Sequence, residues 1–400
     1  MRVNAHRDVA IYIKSLQGGG AERSTVNLAN AIAESGTPVD LLVNDEDGVF
    51  TKQLSPLVRL IKLEKASLWK TIWLLRKQPK EILFLISLWL MPRSPKPAEI
   101  VPNLASYLSK NEPKVLLTAL DYGNVAAVVA RSVAKVRTRV VLGQRNQLSE
   151  GLNRGSAWRR RLTVPTLRHF FTQADAIISV SIGVAYDLKR TLQIPPDRVH
   201  AIYNAVYNAT IEEQSKEDLS HPWFDDKTVP VIVAAGKLRP QKDYPNLLEA
   251  FAKVLERREA RLMILGQGPL LSDLQNLAKQ LKIDKSVSFE GFVDNPFKYF
   301  SKASLFVLSS RYEGLPGVLI QALACGCPVV STNCPSGPEE ILLNGEVGKL
   351  VPVADSDALS DAIICELDID HDREALKSRA KFFSEGNAVN AYLKVLLDSD

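Results

Sequence analysis

The sequence predicts an α/β protein of two domains, each a parallel sheet covered by helices, and three observations carry that reading. Its 400 residues exceed what one hydrophobic core usually serves, since single cores stop growing at roughly 250–300 residues. Short apolar runs alternate with amphipathic helical stretches throughout, and one acidic, polar stretch near the middle interrupts the alternation. The composition, 46% hydrophobic and 24% charged, is that of a globular protein and excludes a fibrous repeat or long disorder.

In the first half the runs are Val9 to Leu16, Val39 to Val43, Val58 to Leu63, Val115 to Ala119, Arg139 to Leu142, Ala176 to Val180 and Val199 to Tyr203. They are rich in β-branched residues and apolar on both faces, which suits strands buried between two helical layers. They place the first domain over residues 1–205. Between Asn204 and Thr228 the pattern lapses into acidic and polar sequence, as over Ile211 to Asp218, and reads as a linker. A second alternation follows, with strands at Val229 to Ala235, Arg261 to Leu265, Val287 to Phe289, Leu305 to Leu308, Pro328 to Thr332 and Lys349 to Val353, giving a domain over 206–385. The tail, Asp372 to Leu397, is helical in pattern. It either completes the second core or, over 386–400, crosses back to brace the first domain.

The N-terminus, with Arg2, His6, Arg7 and Asp8 and no apolar core, does not read as a secretory signal, so a cytoplasmic protein is expected. Cys325, Cys327, Cys334 and Cys365 lack the C-x-x-C spacing of zinc or redox sites and read as small buried hydrophobes. Without export, the sequon at Asn208-Ala209-Thr210 would meet no glycosylation machinery. Net charge is a modest +5, but Arg137, Arg139, Arg145, Arg154, Arg159, Arg160, Arg161 and Arg168 concentrate basic charge in the first domain. Nucleic acid, an anionic membrane, a phosphate-bearing substrate or a merely solvated helix face would each account for it.

One stretch breaks the alternation, Ser67 to Met91, with Trp69, Trp73 and the apolar run Ile82 to Met91. Ten residues make a helix of about 15 Å, short of the roughly 20 residues that cross a bilayer, and Arg76, Lys77 and Lys80 interrupt anything longer. Two readings stay open, a helix lying in the membrane interface and a helix facing the core.

Chemistry is expected where strands end. After the first strand, Leu16-Gln17-Gly18-Gly19-Gly20-Ala21-Glu22-Arg23 puts glycines at a strand-to-helix turn, where free N–H groups favour an anion. The dinucleotide pattern G-x-G-x-x-G is not met, because its last position is Arg23. Gly236-Lys237-Leu238-Arg239-Pro240-Gln241-Lys242 places cations after the first strand of the second domain, with Lys237 and Lys242 set to converge on a diphosphate across the turn at Pro240. A third loop, Ser309-Ser310-Arg311-Tyr312-Glu313-Gly314-Leu315-Pro316-Gly317, leads into a helix bearing Gln321, and a fourth, Pro335-Ser336-Gly337-Pro338-Glu339, opens another.

Taken with Ala174 to Ser181 and Tyr203-Asn204-Ala205-Val206, these residues resemble glycosyltransferase family 4 over nearly the whole chain. The resemblance implies the GT-B fold, two Rossmann-like domains facing across a cleft, the first for acceptor and the second for nucleotide-sugar. It implies that Lys237 and Lys242 grip the donor diphosphate and that Glu313 contacts the transferred sugar, making these three the catalytic set. It further implies donor contacts from Gly19, Gly20, Gly236, Gly266, Phe292, Val293, Gly314, Leu315, Pro316 and Gln321, and acceptor contacts from Glu22, Asn124, Arg145 and Asn146. Two positions depart from the family pattern: Lys237 stands for an arginine, keeping charge but losing the planar fork, and Gln321 stands for a glutamate, keeping an acceptor oxygen. A histidine common near the sugar in relatives is replaced by the sequence Gln144-Arg145-Asn146.

The resemblance also implies transfer with retention of configuration, without a metal and without another cofactor. Asp45-Glu46-Asp47 superficially matches a metal-binding Asp-x-Asp but follows the second strand and reads as a solvated acidic turn. The expected partners are a nucleotide-sugar, most similar to UDP-linked N-acetylhexosamines or hexoses, a lipid-linked saccharide acceptor and the inner membrane surface. Two alternatives differ in class. An epimerase or hydrolase acting on a UDP-sugar would need its own acidic and histidine set, which five scattered histidines do not supply. A nucleic-acid-binding role lacks a recognisable module or stacking platform, so no nucleic-acid partner is expected.

Overall fold

The computed structural model describes residues 8–17, 19–76, 81–83, 97–153, 156–226 and 228–397. The chain divides into two compact units, Met1–Ala205 with Glu385–Asp400, and Val206–Ser384.

Every apolar run read as a strand contains one; most are trimmed at an end or match as read, whereas the strands beginning at Arg139 and Val287 run two residues further, to Gln144 and Gly291. In the first unit β1 (Val9–Tyr12), β2 (Val39–Val43), β3 (Val58–Lys62), β4 (Val115–Thr118), β5 (Arg139–Gln144), β6 (Ala176–Ser179) and β7 (Val199–Ala201) form one parallel sheet in the order β3-β2-β1-β4-β5-β6-β7. Val9 pairs with Val39 on one side and Val115 on the other. In the second unit β8 (Val231–Ala235), β9 (Arg261–Leu265), β10 (Val287–Gly291), β11 (Leu305–Leu308), β12 (Val329–Thr332) and β13 (Lys349–Val351) are ordered β10-β9-β8-β11-β12-β13, again parallel. Both orders reverse direction beside their first strand, giving switch points between β1 and β4 and between β8 and β11. Open α/β sheets bind ligands at the carboxyl ends of strands at such points.

The pleat sorts the first core into two layers. Ala10, Tyr12, Leu116, Val140 and Leu142 pack with the helices Val101–Asn111, Asp121–Ala134 and Ala157–Phe171. Their neighbours Val9, Ile11, Leu117, Val141 and Ile178 pack on the opposite face with the helices Gly20–Glu34 and Glu385–Leu397. The tail therefore divides. Helix Arg373–Lys381 buries Leu376 and Ala380 in the second unit, whereas Glu385–Leu397 buries Val389, Tyr392 and Leu396 in the first.

The polar stretch expected as a linker is folded. Ala209–Ser215 is a helix whose N-cap Asn208 accepts from the Ile211 N–H, and Ile211 is buried in the second unit. The Ser301 hydroxyl donates to the Ser215 carbonyl at 2.8 Å. A helix of seven residues shows too little periodicity to be read from sequence.

The stretch Ser67 to Met91 is described in part. Leu68–Leu74 is a helix capped by the Ser67 hydroxyl. Thr71 and Leu75 turn into the core, whereas Trp69 and Trp73 are 78% and 62% exposed and the Arg76 guanidinium lies 4.1 Å from the Trp73 ring centroid. Ile82 packs on the core, Leu83 is exposed, and residues 77–80 and 84–91 lie outside the described residues. Among the described residues no helix is long and apolar enough to cross a membrane.

Because Tyr392 fills the first unit's core, Tyr392→Ala should cost that unit about 3–5 kcal/mol, the range for deleting a large buried ring. Hydrogen exchange read peptide by peptide checks this: protection should fall across residues 8–205 and persist across 228–384, and an equal loss in both would contradict the placement of the helix.

Candidate functional site

The second unit's switch point is built from backbone that only particular residues allow. After β8 the chain passes through Gly236 (φ 150°), and after β9 through Gly266 (φ 143°). A Cβ on Gly266 would collide with the Gly236 carbonyl oxygen, so the two loops touch because neither carries a side chain there. The buried Tyr244 hydroxyl donates to the same carbonyl at 3.1 Å. Burial, followed by the nearby Glu313 charge, raises the Tyr244 phenol well above its ordinary pKa, so it remains a donor. Leu238 plugs the loop into the core and leaves Lys237 and Arg239 exposed. A single 3-10 turn over Pro240–Lys242 then swings Lys242 back toward β11.

There Lys242 and Glu313 meet. The Lys242 Nζ lies 2.7 Å from Glu313 Oε1, with both side chains mostly buried. The Ser310 hydroxyl donates to the same oxygen at 2.7 Å, and Gln241 Nε2 donates to Oε2 at 3.4 Å. The carboxylate is thus surrounded by donors, as a buried charge must be. The loops are also joined through their main chains. Gln241 Nε2 donates to the Tyr312 carbonyl at 3.0 Å, the Ser309 hydroxyl to the Lys242 carbonyl at 2.7 Å, and the Arg311 N–H to the Gln241 carbonyl at 2.8 Å. Ser310, Gln241 and Arg311 are the members that sequence reasoning missed. All three stood inside quoted motifs, but nothing in their spacing shows which neighbours a carboxylate will use.

The remaining donor candidates line the same edge of the sheet. Gly314, Leu315 and Pro316 are buried beneath the Glu313 loop, and the Ser336 hydroxyl donates to the Glu313 carbonyl at 3.4 Å. Gln321 is half-buried in the helix Gly317–Ala324. After β10, Phe292 is 60% exposed and Val293 half-buried. Lys237 is exposed and, among the described residues, unpaired, in contrast to Lys242. Cys334 lies near the pair, but burial, with the Glu313 charge adding, pushes its thiol up to about 12, which leaves it no nucleophile at neutral pH.

In the first unit, Gly19 is the extended N-cap of helix Gly20–Glu34 and makes no side-chain cap, while the half-buried Glu22 carboxylate lies over it. Two expected acceptor residues have partners within the unit. Asn124 is fully buried; its amide accepts from the Thr118 hydroxyl and donates to the Gly143 carbonyl at 3.1 Å, so it ties β4 to β5. Arg145 is engaged internally, donating to the Ser24 hydroxyl at 2.9 Å, the Thr25 hydroxyl at 3.4 Å and the Asn204 side chain. It clamps the first helix to the end of the unit. Asn146 is exposed. The arginine cluster also divides: Arg137, Arg160 and Arg161 are exposed, Arg139 and Arg168 are half-buried, and Arg168 donates to the Leu192 carbonyl at 2.9 Å. Arg154 and the Arg159 side chain lie outside the described residues. Asp45 accepts from Gln17 Nε2 at 2.5 Å and the Asp47 N–H at 3.3 Å, a local turn.

Comparison with known proteins gives a consistent picture. Residues 18–208 match Glycosyltransferase Family 4, and residues 215–382 match Glycosyl transferases group 1. The N-acetylgalactosamine-N,N'-diacetylbacillosaminyl-diphospho-undecaprenol 4-alpha-N-acetylgalactosaminyltransferase of Campylobacter jejuni is 28% identical over 397 residues, covering 97% of this chain and 99% of that protein. In structure, Anabaena HepE in complex with UDP and glucose gives a TM-score of 0.74 at 17% identity, covering 98% and 99% of the two chains. WaaG, a glycosyltransferase involved in lipopolysaccharide biosynthesis, gives 0.69 at 14%, covering 98% and 100%. These likenesses show the fold as GT-B.

The close approach of Gly266 to Gly236 makes Gly266→Ala a test of loop placement. The added methyl should displace the 236–242 loop and weaken nucleotide binding at least tenfold, while β8 and β9 keep their exchange protection. Unchanged affinity, measured by calorimetry, would mean the contact does not shape the site.

Proposed function

This chain belongs to the glycosyltransferases, its first half to Family 4 and its second to group 1, and from that premise we propose that it transfers a sugar from a UDP-linked donor to a lipid-linked saccharide. The observation that carries the donor half is the Lys242–Glu313 pair at the second unit's switch point. A cation held beside a carboxylate at the carboxyl ends of parallel strands suits a ligand that is anionic at one end and hydroxyl-bearing at the other. On this reading the donor diphosphate takes Lys242, with the exposed Lys237 as second cation, and the sugar hydroxyls donate to Glu313. Phe292 offers an aromatic face for the base, and Gln321 an acceptor for the ribose. The choice of UDP is supported by the HepE complex, which contains UDP.

The reaction is proposed to proceed with retention and without a metal. The bond from the anomeric carbon to the phosphate oxygen breaks, the acceptor oxygen bonds on the same face, and its proton passes to the departing diphosphate. Charge grows on that leaving group, so Lys242 and Lys237 act where the transition state is most anionic, and losing one such preorganised donor commonly costs about 10²- to 10³-fold in rate.

The acceptor is proposed from the Campylobacter relative, whose name specifies a sugar carried on diphospho-undecaprenol and which matches 97% of this chain. Such a substrate lies at a membrane, and we place the protein peripherally on the inner face. Exposed Trp69 and Trp73 beside Lys70 and Arg76, and Trp158 beside Arg160 and Arg161, combine apolar anchors with cations for anionic headgroups.

Three outcomes test these readings. UDP, and not GDP or ADP, should raise the thermal midpoint, indifferently to EDTA, since a ligand of the native state stabilises by mass action; a shift that EDTA removes would reject metal-free binding. Lys242→Ala should lower transfer by at least 10²-fold, whereas Glu313→Gln should abolish transfer yet hold UDP at least as tightly, because it removes the anion competing for Lys242. Full transfer by either variant would sink the assignment. Trp69→Ala with Trp73→Ala should reduce flotation with anionic vesicles without loss of solubility; undiminished flotation would take this helix out of the membrane reading.

A further inference from the structure

Asp243 departs from local expectation twice. It occupies the N-cap position of the helix Tyr244–Leu255, yet its side chain makes no capping hydrogen bond, and its backbone is left-handed (φ 48°, ψ 44°). An N-cap aspartate ordinarily sits in extended backbone and accepts from the helix's first N–H groups, and a non-glycine residue is disfavoured at positive φ. Strain of this kind persists only where surroundings impose it. Here the surroundings are the 3-10 turn Pro240–Lys242, which Asp243 closes through its N–H to the Pro240 carbonyl, and Arg311. The buried Asp243 carboxylate accepts one hydrogen bond from the guanidinium, Nη2 to Oδ1 at 3.1 Å, while Nε lies 2.9 Å from Oδ2 as an ion contact without hydrogen-bond geometry.

These residues stand next to the reactive pair. Asp243 follows Lys242, and Arg311 precedes Glu313 by two. The loop after β8 therefore carries a cation then an anion, the loop after β11 a cation then an anion, and the four charges pair crosswise between the loops. The two pairs differ in fate when a nucleoside diphosphate binds. The donor reading has the phosphates draw Lys242 from Glu313 and assigns no ligand to Arg311, whose side chain is 56% exposed, so the Arg311–Asp243 pair is left closed. We propose that Arg311 and Asp243 are positioning residues, their ion pair being the fixed half of a double latch that keeps the two loops in register while the donor opens the other half. This rests on the donor reading above and adds to it a residue pair that touches no substrate.

The experiment compares wild type, Arg311→Met, Arg311→Lys and the double variant Asp243→Gly with Arg311→Met, all as full chains. Glycine accepts the left-handed backbone, and the double variant leaves no unpaired buried carboxylate, so it separates the latch from a simple folding defect. UDP is the probe, titrated by calorimetry, and hydrogen exchange over residues 236–243 is the second readout. Both methionine variants should bind UDP about tenfold more weakly and exchange faster over 236–243, with protection elsewhere unchanged, and lysine should restore part of the affinity. Two results overturn the latch: wild-type affinity in Arg311→Met, or recovery of wild-type affinity in the double variant, which would reduce the pair to neutralising Asp243. If wild type does not bind UDP, the donor reading fails on its own, and the latch is judged by exchange, where unchanged rates over 236–243 overturn it.

Discussion

The Lys242–Glu313 ion pair joins side chains 71 residues apart in sequence, and it exists because β8 and β11 are neighbours in the sheet. In a parallel sheet every carboxyl end faces the same edge, so the loops after β8, β9, β10, β11 and β12 are presented together whatever their order in the chain. The reversal of order beside β8 leaves its loop and that of β11 to diverge on opposite faces of the sheet, and two residues that reach back across this gap become the centre of the site. The surrounding features serve that meeting. Glycines at 236 and 266 let one loop descend, the 3-10 turn aims Lys242, and Ser310 and Gln241 supply the donors that make a buried carboxylate tolerable.

That dependence explains what could be read in advance. The strands were legible because a buried parallel strand is apolar on both faces, a signal that needs no partner to be recognised. The candidate residues were legible to the extent that strand ends could be located: Lys242 and Glu313 each follow a strand, and their types announce charge. Their pairing was not legible, since it follows from sheet order. Asn124 and Arg145 show the converse. Both residue types suit a polar acceptor, but whether an amide or a guanidinium faces a ligand depends on whether Thr118, Gly143, Ser24 and Asn204 have already engaged it. The helix Ala209–Ser215 was missed for a different reason, being too short for periodicity and defined by its Asn208 cap and one buried isoleucine.

The two switch points are built alike and furnished differently. In the second unit the gap is bridged by charge. In the first, Tyr12 of β1 meets Tyr122, just after β4, edge to face at 6.4 Å, and the Thr118–Asn124–Gly143 bonds fasten β4 to β5 beside the gap. Neutral hydrogen bonds and rings make a firm floor without a fixed charge, while Glu22 stands above it at the helix start. Under the proposed reaction the second unit would hold a diphosphate, and there the cost of burying a cation is offset by a carboxylate.

The carboxylate has a further consequence under the proposed reaction. A cation already paired binds phosphate less well than a free one, because the incoming anion must displace Glu313 and then stand close to it. With a nucleotide-sugar, the sugar's neutral hydroxyls come between diphosphate and carboxylate and donate to Glu313 in place of Lys242. With the bare nucleotide left after transfer nothing fills that space, and two anions face each other across a low-dielectric pocket, where repulsion is stronger than in water. Glu313 then favours the sugar-bearing nucleotide over the sugar-free one. Under the proposed reaction, the pair that weakens diphosphate binding in general would thus let the site hold its substrate and release its product.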